Sequence, residues 1–285
     1  MEYYIFFVFI IIYLICYLNY RETFNTYYRI PFMKKNNNVH YFRNIIPKIV
    51  FQSFKTRDLP YSYRNNHKDL IKKNYNYVFF YYNDLDCDKF LKSYSKKVYS
   101  TYKILKKSSN NYIKGAGCSD LFRYCILEKY GGIWLDMGME PLKSLDNIFN
   151  NIISDDRQQF ISCMAANKTS VFQAIICCTK NHPFLKEIIS EIVENVLINN
   201  QQLNTHVWRL TGPILLANII TKNKRSLIKT GYNNINGNKF YLFSEIILNK
   251  NTGLYRYYIK NTDLNEVIIC SRCAHQKNGE IITKK

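Results

Sequence analysis

At 285 residues, with 47% hydrophobic and 16% aromatic side chains, the chain can bury a sizeable core, which excludes wholesale disorder and leaves room for one large domain or two small ones. The formal net charge of +19 favours anionic partners. The lysines, however, are scattered as short pairs such as Lys34-Lys35 and Lys106-Lys107 and form no single stripe, which argues against nucleic acid.

In chain order, residues 3–18 read YYIFFVFIIIYLICYL. The run is free of charge, near the length that spans a bilayer, and has tyrosines at both ends, where amphipathic rings prefer the interface. The Met-Glu start and the lack of an Ala-x-Ala site argue against a cleaved signal peptide. Residues 1–20 are therefore expected to be a membrane anchor and residues 21–44, polar and basic, a linker. The cations after the segment (Arg21, Arg29, Lys34, Lys35) outnumber those before it, which by the positive-inside tendency keeps the body in the cytosol.

The body is expected to run from residue 45 to 285. Strand signals stand at 45–51 (IIPKIVF), 77–82 (YVFFYY), 133–135 (IWL) and 160–164, with further short runs over 239–270. Asp84 or Asp86 is positioned to cap a helix reaching about Tyr99, and Ser119 to cap one over 120–129 that ends at Gly131. Pro183 fits the first turn of a helix whose apolar stripe runs from Phe184 to Leu197. Strands alternating with helices predict an α/β fold with a mostly parallel sheet.

Ligands of such sheets bind beyond the carboxyl ends of the strands, and Asp136 is the first residue after the 133–135 strand. On the preceding helix, Asp120 and Arg123 are three apart and share a face. Carboxylates gathered at a strand end suit Mg²⁺ or Mn²⁺, which prefer oxygen ligands and share them with phosphates. A surface ion pair and a loop-capping acid are the plain alternatives. Nine cysteines at irregular spacing make no disulfide framework. Cys270, Cys273 and His275 offer three zinc-type ligands without a fourth.

The run SDLFRYCILEKYGGIWLDMGMEPLKSLD resembles the sugar-binding, DXD-containing region of glycosyltransferase family 32. Further stretches agree in order: IPKIVFQSFKTRDLP over 46–60, NYNYVFFYYND over 74–84, NHPFL from Asn181, and Thr211-Gly212-Pro213. The resemblance implies a GT-A fold and transfer of a sugar, with retention, from a nucleoside-diphosphate donor (UDP or GDP) to a hydroxyl on a glycan, lipid or protein. It implies that Asp120 and Arg123 hold sugar hydroxyls. Asp136 would contact the ribose or a metal, and Ile49, Val50, Phe51 and Gln52 would line the base pocket. It implies a luminal body in a Golgi/ER-like membrane, opposite to the orientation the flanking charges favour, so both orientations stay open; the abundance of Lys, Asn, Ile and Tyr, with their AT-rich codons, also suits a viral membrane.

The sequence departs from the pattern at Asp136-Met137-Gly138. Glycine replaces the second acid of the DXD motif, usually the direct ligand of Mn²⁺ or Mg²⁺. Glu140 and His275 are the candidate substitute ligands. Arg209 and Lys143 are candidate cations for the diphosphate in a metal-free enzyme, and a catalytically inactive sugar-nucleotide or glycan binder is the remaining alternative.

Overall fold

The structure is a computed structural model that describes residues 46–150, 152–153, 159–197, 206–235, 237–249 and 255–271. The expected anchor at 3–18, the linker at 21–44 and His275 lie outside the described residues. Among the described residues, no helix is long and apolar enough to cross a membrane.

The first half alternates as predicted. Strand β1 (Ile49–Ser53) leads to helix α1 (Tyr61–Lys73), β2 (Val78–Tyr82), α2 (Asp84–Tyr94) and α3 (Lys96–Lys107). A π-helical turn, Ile113–Gly117, runs directly into α4 (Cys118–Tyr130), followed by β3 (Gly132–Leu135), β4 (Glu140–Pro141) and α5 (Leu145–Phe149). The second half contains β5 (Phe160–Met164), β6 (Val171–Cys178), α6 (Pro183–Leu197), the short α7 (Val207–Leu210), α8 (Pro213–Thr221), β7 (Gly231–Ile235), β8 (Asn238–Asn249), β9 (Tyr255–Asn261) and β10 (Glu266–Ser271).

One mixed sheet of ten strands runs β2-β1-β3-β6-β5-β8-β9-β10-β4, with β7 paired to β8. The expectation of a mostly parallel sheet is corrected. Only β1–β2, β1–β3 and β5–β8 are parallel. A parallel pair needs a long crossover, whereas a short connection gives an antiparallel pair. The six residues between β5 and β6 fold a hairpin, so β6 lies antiparallel between β5 and β3. The β8–β9–β10 meander adds two more antiparallel pairs by the same rule.

Two helix boundaries also differ. The helix expected to reach Tyr99 breaks at Ser95, whose extended backbone (φ −161°, ψ 139°) separates α2 from α3. Its cap is Asn83, which accepts from the Asp86 N–H while the Asp86 carboxylate accepts from the Asn83 N–H, a reciprocal capping box. Ser119 caps nothing, because the chain enters α4 already helical from the π turn.

Alternation along β3 sets the two faces of the sheet. Ile133 and Leu135 join the cluster of Val50, Ile175, Phe149 and Phe243. Trp134 points the other way, with its ring centroid 5.9 Å from that of Phe122 on α4. Gly131 and Gly132 make the sharp turn between α4 and β3, with φ of +68° and +106°. A Cβ on Gly132 would stand 2.7 Å from the Ile49 carbonyl oxygen, so a bare backbone is what lets β3 lie against β1.

Candidate active site at the carboxyl end of β3

The alternation that sends Trp134 toward α4 places Asp136 at the end of the same face. Its backbone N–H donates to the Ala174 carbonyl at 2.9 Å. Its Oδ1 accepts from Trp134 Nε1 at 2.7 Å and lies 3.4 Å from Arg123 Nη2. The turn that follows is fixed from α1, where Asn66 Nδ2 donates to the Met137 and Met139 carbonyls at 2.8 and 2.7 Å.

Arg123 and Asp120 stand on the inner face of α4, 5% and 2% exposed. The three-residue spacing brings Arg123 Nη2 to 3.4 Å from Asp120 Oδ1, so one guanidinium bridges both carboxylates. Arg123 Nη1 donates to the Gln173 carbonyl at 2.7 Å, Nη2 reaches Ser119 Oγ at 3.3 Å, and the guanidinium carbon sits 5.0 Å from the Trp134 ring centroid. Its Nε is buried with no hydrogen-bond partner. This is a buried network and not the surface ion pair of the plain reading.

Two residues of the network were given no role in the site by the sequence, although Thr211 belongs to one of the resembling stretches. Thr211 Oγ1 donates to Asp120 Oδ2 at 2.9 Å, and Gln173 Nε2 donates to Asp120 Oδ1. Tyr124 OH ties them together, donating to Gln173 Oε1 at 3.0 Å and to the Thr211 carbonyl at 3.1 Å. Gln173 had a signal: it is the one amide in the apolar run VFQAIICC, and a buried amide needs partners.

The electrostatics follow from burial. Loss of solvent raises the Asp120 carboxyl to about 6, against the pull of Arg123 and the Thr211 and Gln173 hydrogen bonds. Burial also opposes the Arg123 charge, but Asp136 and Asp120 outweigh it and its pKa lies above the ordinary arginine value. Asp136 is the open member, with its side chain 39% exposed against 7% for Arg123 and 3% for Asp120.

The β1–β3 register, Val50 beside Ile133 and Phe51 beside Trp134, carries Gln52 and Ser53 to the sheet edge that holds Asp136. Val50 and Phe51 are core side chains, and Phe51 stacks on Phe80 at 5.7 Å. Gln52 Oε1 faces His67 Nδ1 at 2.5 Å, and its Nε2 is buried without a partner. Burial lowers the His67 pKa to about 4, so the ring is neutral.

Of the expected metal ligands, Asp136 and Glu140 are among the described residues and His275 is not. Glu140 pairs through its backbone with Cys270 of β10, and Gly138 has no side chain. Among the described residues, no three His, Cys, Asp or Glu side chains converge as a metal group would need. Among the described residues Asp136 and Glu140 are the candidate oxygen donors, too few for an all-protein cage. Cys270 is disulfide-bonded, which sets aside a zinc thiolate there. Of the two candidate cations, Lys143 is engaged by Glu266, whereas Arg209 is exposed on α7, two residues before Thr211.

Residues 60–159, which span α1, α4, β3 and the Asp136 turn, match the family model described as glycosyltransferase sugar-binding region containing DXD motif. Over that stretch the chain is similar to the DXD-containing glycosyltransferases. It is 24% identical over 172 residues to inositol phosphoceramide mannosyltransferase 3 of Schizosaccharomyces pombe, covering 60% of this chain and 44% of that one. It is also 24% identical over 181 residues to mannosyl phosphorylinositol ceramide synthase CSH1 of Saccharomyces cerevisiae, covering 64% and 44%. The chain thus spans less than half the length of the curated relatives it matches. The fold is similar to that of the PaToxG glycosyltransferase, with a TM-score of 0.51 and 16% identity over 65% of this chain and 71% of that one. Gly138, in place of the second DXD acid, sets the chain apart from the motif that names the family.

Proposed function

We propose that residues 45–285 form a retaining glycosyltransferase domain that moves a hexose from a nucleoside diphosphate to a hydroxyl acceptor. The observation that carries the reading is the orphaned Arg123 Nε, buried beside two carboxylates at a strand end. A buried guanidinium with an unused donor is costly unless something completes it, and a sugar hydroxyl is the right partner.

In this reading Asp136 takes a hydroxyl of the sugar or ribose with its exposed oxygen. Arg123 and Asp120 hold the sugar from behind it, and Thr211 and Gln173 keep Asp120 in place. Gln52 Nε2 donates to a carbonyl of the base. The bond from the anomeric carbon to the diphosphate oxygen breaks, and its electron pair stays on that oxygen. The acceptor oxygen bonds the anomeric carbon on the same face, and its proton passes to the departing phosphate. Negative charge therefore grows on the diphosphate, and a fixed cation lowers the barrier. Arg209 is that cation. Mannose is the sugar named for both fungal relatives, and GDP-mannose is accordingly the first donor to offer.

The test is hydrolysis of a panel of UDP- and GDP-sugars by the full chain in detergent, with Mn²⁺ and with EDTA. Turnover of one donor that survives EDTA and is lost in Arg209→Ala is the expected result. Turnover abolished by EDTA would mean a metal site built with residues outside those described. Donor binding without turnover would mean an inactive sugar-nucleotide binder.

A further inference from the structure

The surface beside Thr211 is both basic and aromatic. The stretch Lys96–Gly117, which holds α3 and the π turn, contains six lysines and no aspartate or glutamate. Its buried stripe is Val98, Thr101, Tyr102 and Leu105, so Lys103, Lys107 and Lys114 are left on the solvent side. The acids facing this helix are Asp88, 3.8 Å from Lys106, and Asp84, which also feels the Lys106 charge. Tyr112, at the entry to the π turn, is 68% exposed, and Trp208, on α7, is 52% exposed.

These groups stand on elements that pack together. Cys118 Sγ, at the start of α4, reaches the Tyr102 carbonyl of α3 at 4.0 Å. A Cβ built on Gly117 would meet Thr211 Oγ1 at 3.6 Å and Val207 Cγ2 at 3.7 Å, so α7 lies directly on the π turn. Trp208 is three residues from Thr211, the hydroxyl that donates to Asp120. The chain's other tryptophan, Trp134, is 1% exposed in the core.

We propose that this face docks onto an anionic lipid bilayer. Tyr112 and Trp208 would lie at headgroup depth, where amphipathic rings prefer to sit, and Lys103, Lys107 and Lys114 would meet the acidic headgroups. Charge complementarity selects the anionic surface. The exposed rings favour a bilayer over a soluble anion, because a phosphate would use the lysines and leave two large apolar side chains in water. The consequence for transfer rests on the reading given above: docking here would hold the Asp120–Thr211 network next to the headgroup layer, where a lipid acceptor carries its hydroxyl.

Trp208 supplies its own reporter. The full chain is incorporated into vesicles of phosphatidylcholine alone or with phosphatidylserine, so that residues 3–18 meet a bilayer in every arm. A Trp208→Phe variant assigns the signal against the buried Trp134. With phosphatidylserine, Trp208 emission is expected to shift to the blue, to be quenched severalfold less by acrylamide, and to be quenched by brominated phosphatidylserine. Lys107→Glu with Lys114→Glu is expected to return it to water, each cation being worth roughly fivefold in partitioning. The milder pair Lys107→Gln with Lys114→Gln should give an intermediate, with Trp134 emission reporting the fold.

Equal acrylamide access in the two lipids would overturn the proposal. So would equal protection in phosphatidylcholine alone, or protection unmoved by charge reversal. The readout needs no donor and no turnover. Failure of docking therefore leaves the transfer reading standing, and loss of turnover leaves the docking result standing.

Discussion

Asp120→Asn separates the two forces that act on the buried acid. The native carboxyl is pushed up to about 6 by burial, against about 3.9 in an unfolded chain. Native protein therefore holds this proton more tightly than unfolded protein. Wild-type stability from this group is greatest below pH ~4 and declines as pH rises through 6. Two units of displacement at ~1.4 kcal/mol each bound the effect at roughly 3 kcal/mol, and 1–3 is the working range for a group this strongly coupled to Arg123. The asparagine has no such proton. It keeps an acceptor for Thr211, but its amide confronts that of Gln173 and it leaves Arg123 to Asp136 alone. The variant is thus destabilised at all pH values, and the cost grows by about 1–3 kcal/mol between pH 8 and pH 4. The assay is urea unfolding of both proteins in non-ionic detergent, followed by Trp134 fluorescence, with the difference taken at each pH so that other titrations cancel. A cost that is flat, or largest at pH 8, would refute the reasoning. It would mean that Arg123 and the two hydrogen bonds outweigh burial and hold the carboxylate ionised.

Three further outcomes follow from the geometry. Gly132→Ala places a Cβ 2.7 Å from the Ile49 oxygen at φ +106° and should cost about 2–4 kcal/mol, read as a lower Tm; an unchanged Tm would deny the close approach of β3 and β1. Asn66→Ala strips the donor from the Met137 and Met139 carbonyls and should cost about 1–3 kcal/mol, with faster amide exchange confined to the 137–139 turn. Arg209→Ala, at an exposed position, should leave stability unchanged and lower kcat by roughly 100-fold; equal kcat would move the diphosphate cation elsewhere.

Much of the site was legible before the fold was seen, and the reasons are local. Asp136 follows a three-residue apolar strand and two glycines, so its place at a strand end depends on few residues. Asp120 and Arg123 share a helix face by spacing alone. Thr211 and Gln173 were harder to read, because they reach Asp120 across 91 and 53 residues of sequence and only tertiary packing brings them there. The mixed sheet was missed for a similar reason. Strand periodicity gives no direction, and the β5–β6 hairpin that inserts an antiparallel strand is a matter of loop length. The α2–α3 break was hidden because Ser95 sits in a run that is helical by composition on both sides. Glu140 was a natural metal candidate by its distance in sequence from Asp136, and the β4–β10 pairing sets its backbone beside Cys270.

The most direct test of the account is anomer-resolved NMR of donor cleavage, begun with GDP-mannose, by wild type and by Arg123→Ala and Asp136→Ala. The account predicts that wild type first releases the sugar with the donor's own anomeric configuration, and that both variants, folded by Trp134 emission, lose that signal by 100-fold or more. Cleavage undiminished in both variants, or release of the inverted anomer, would contradict it.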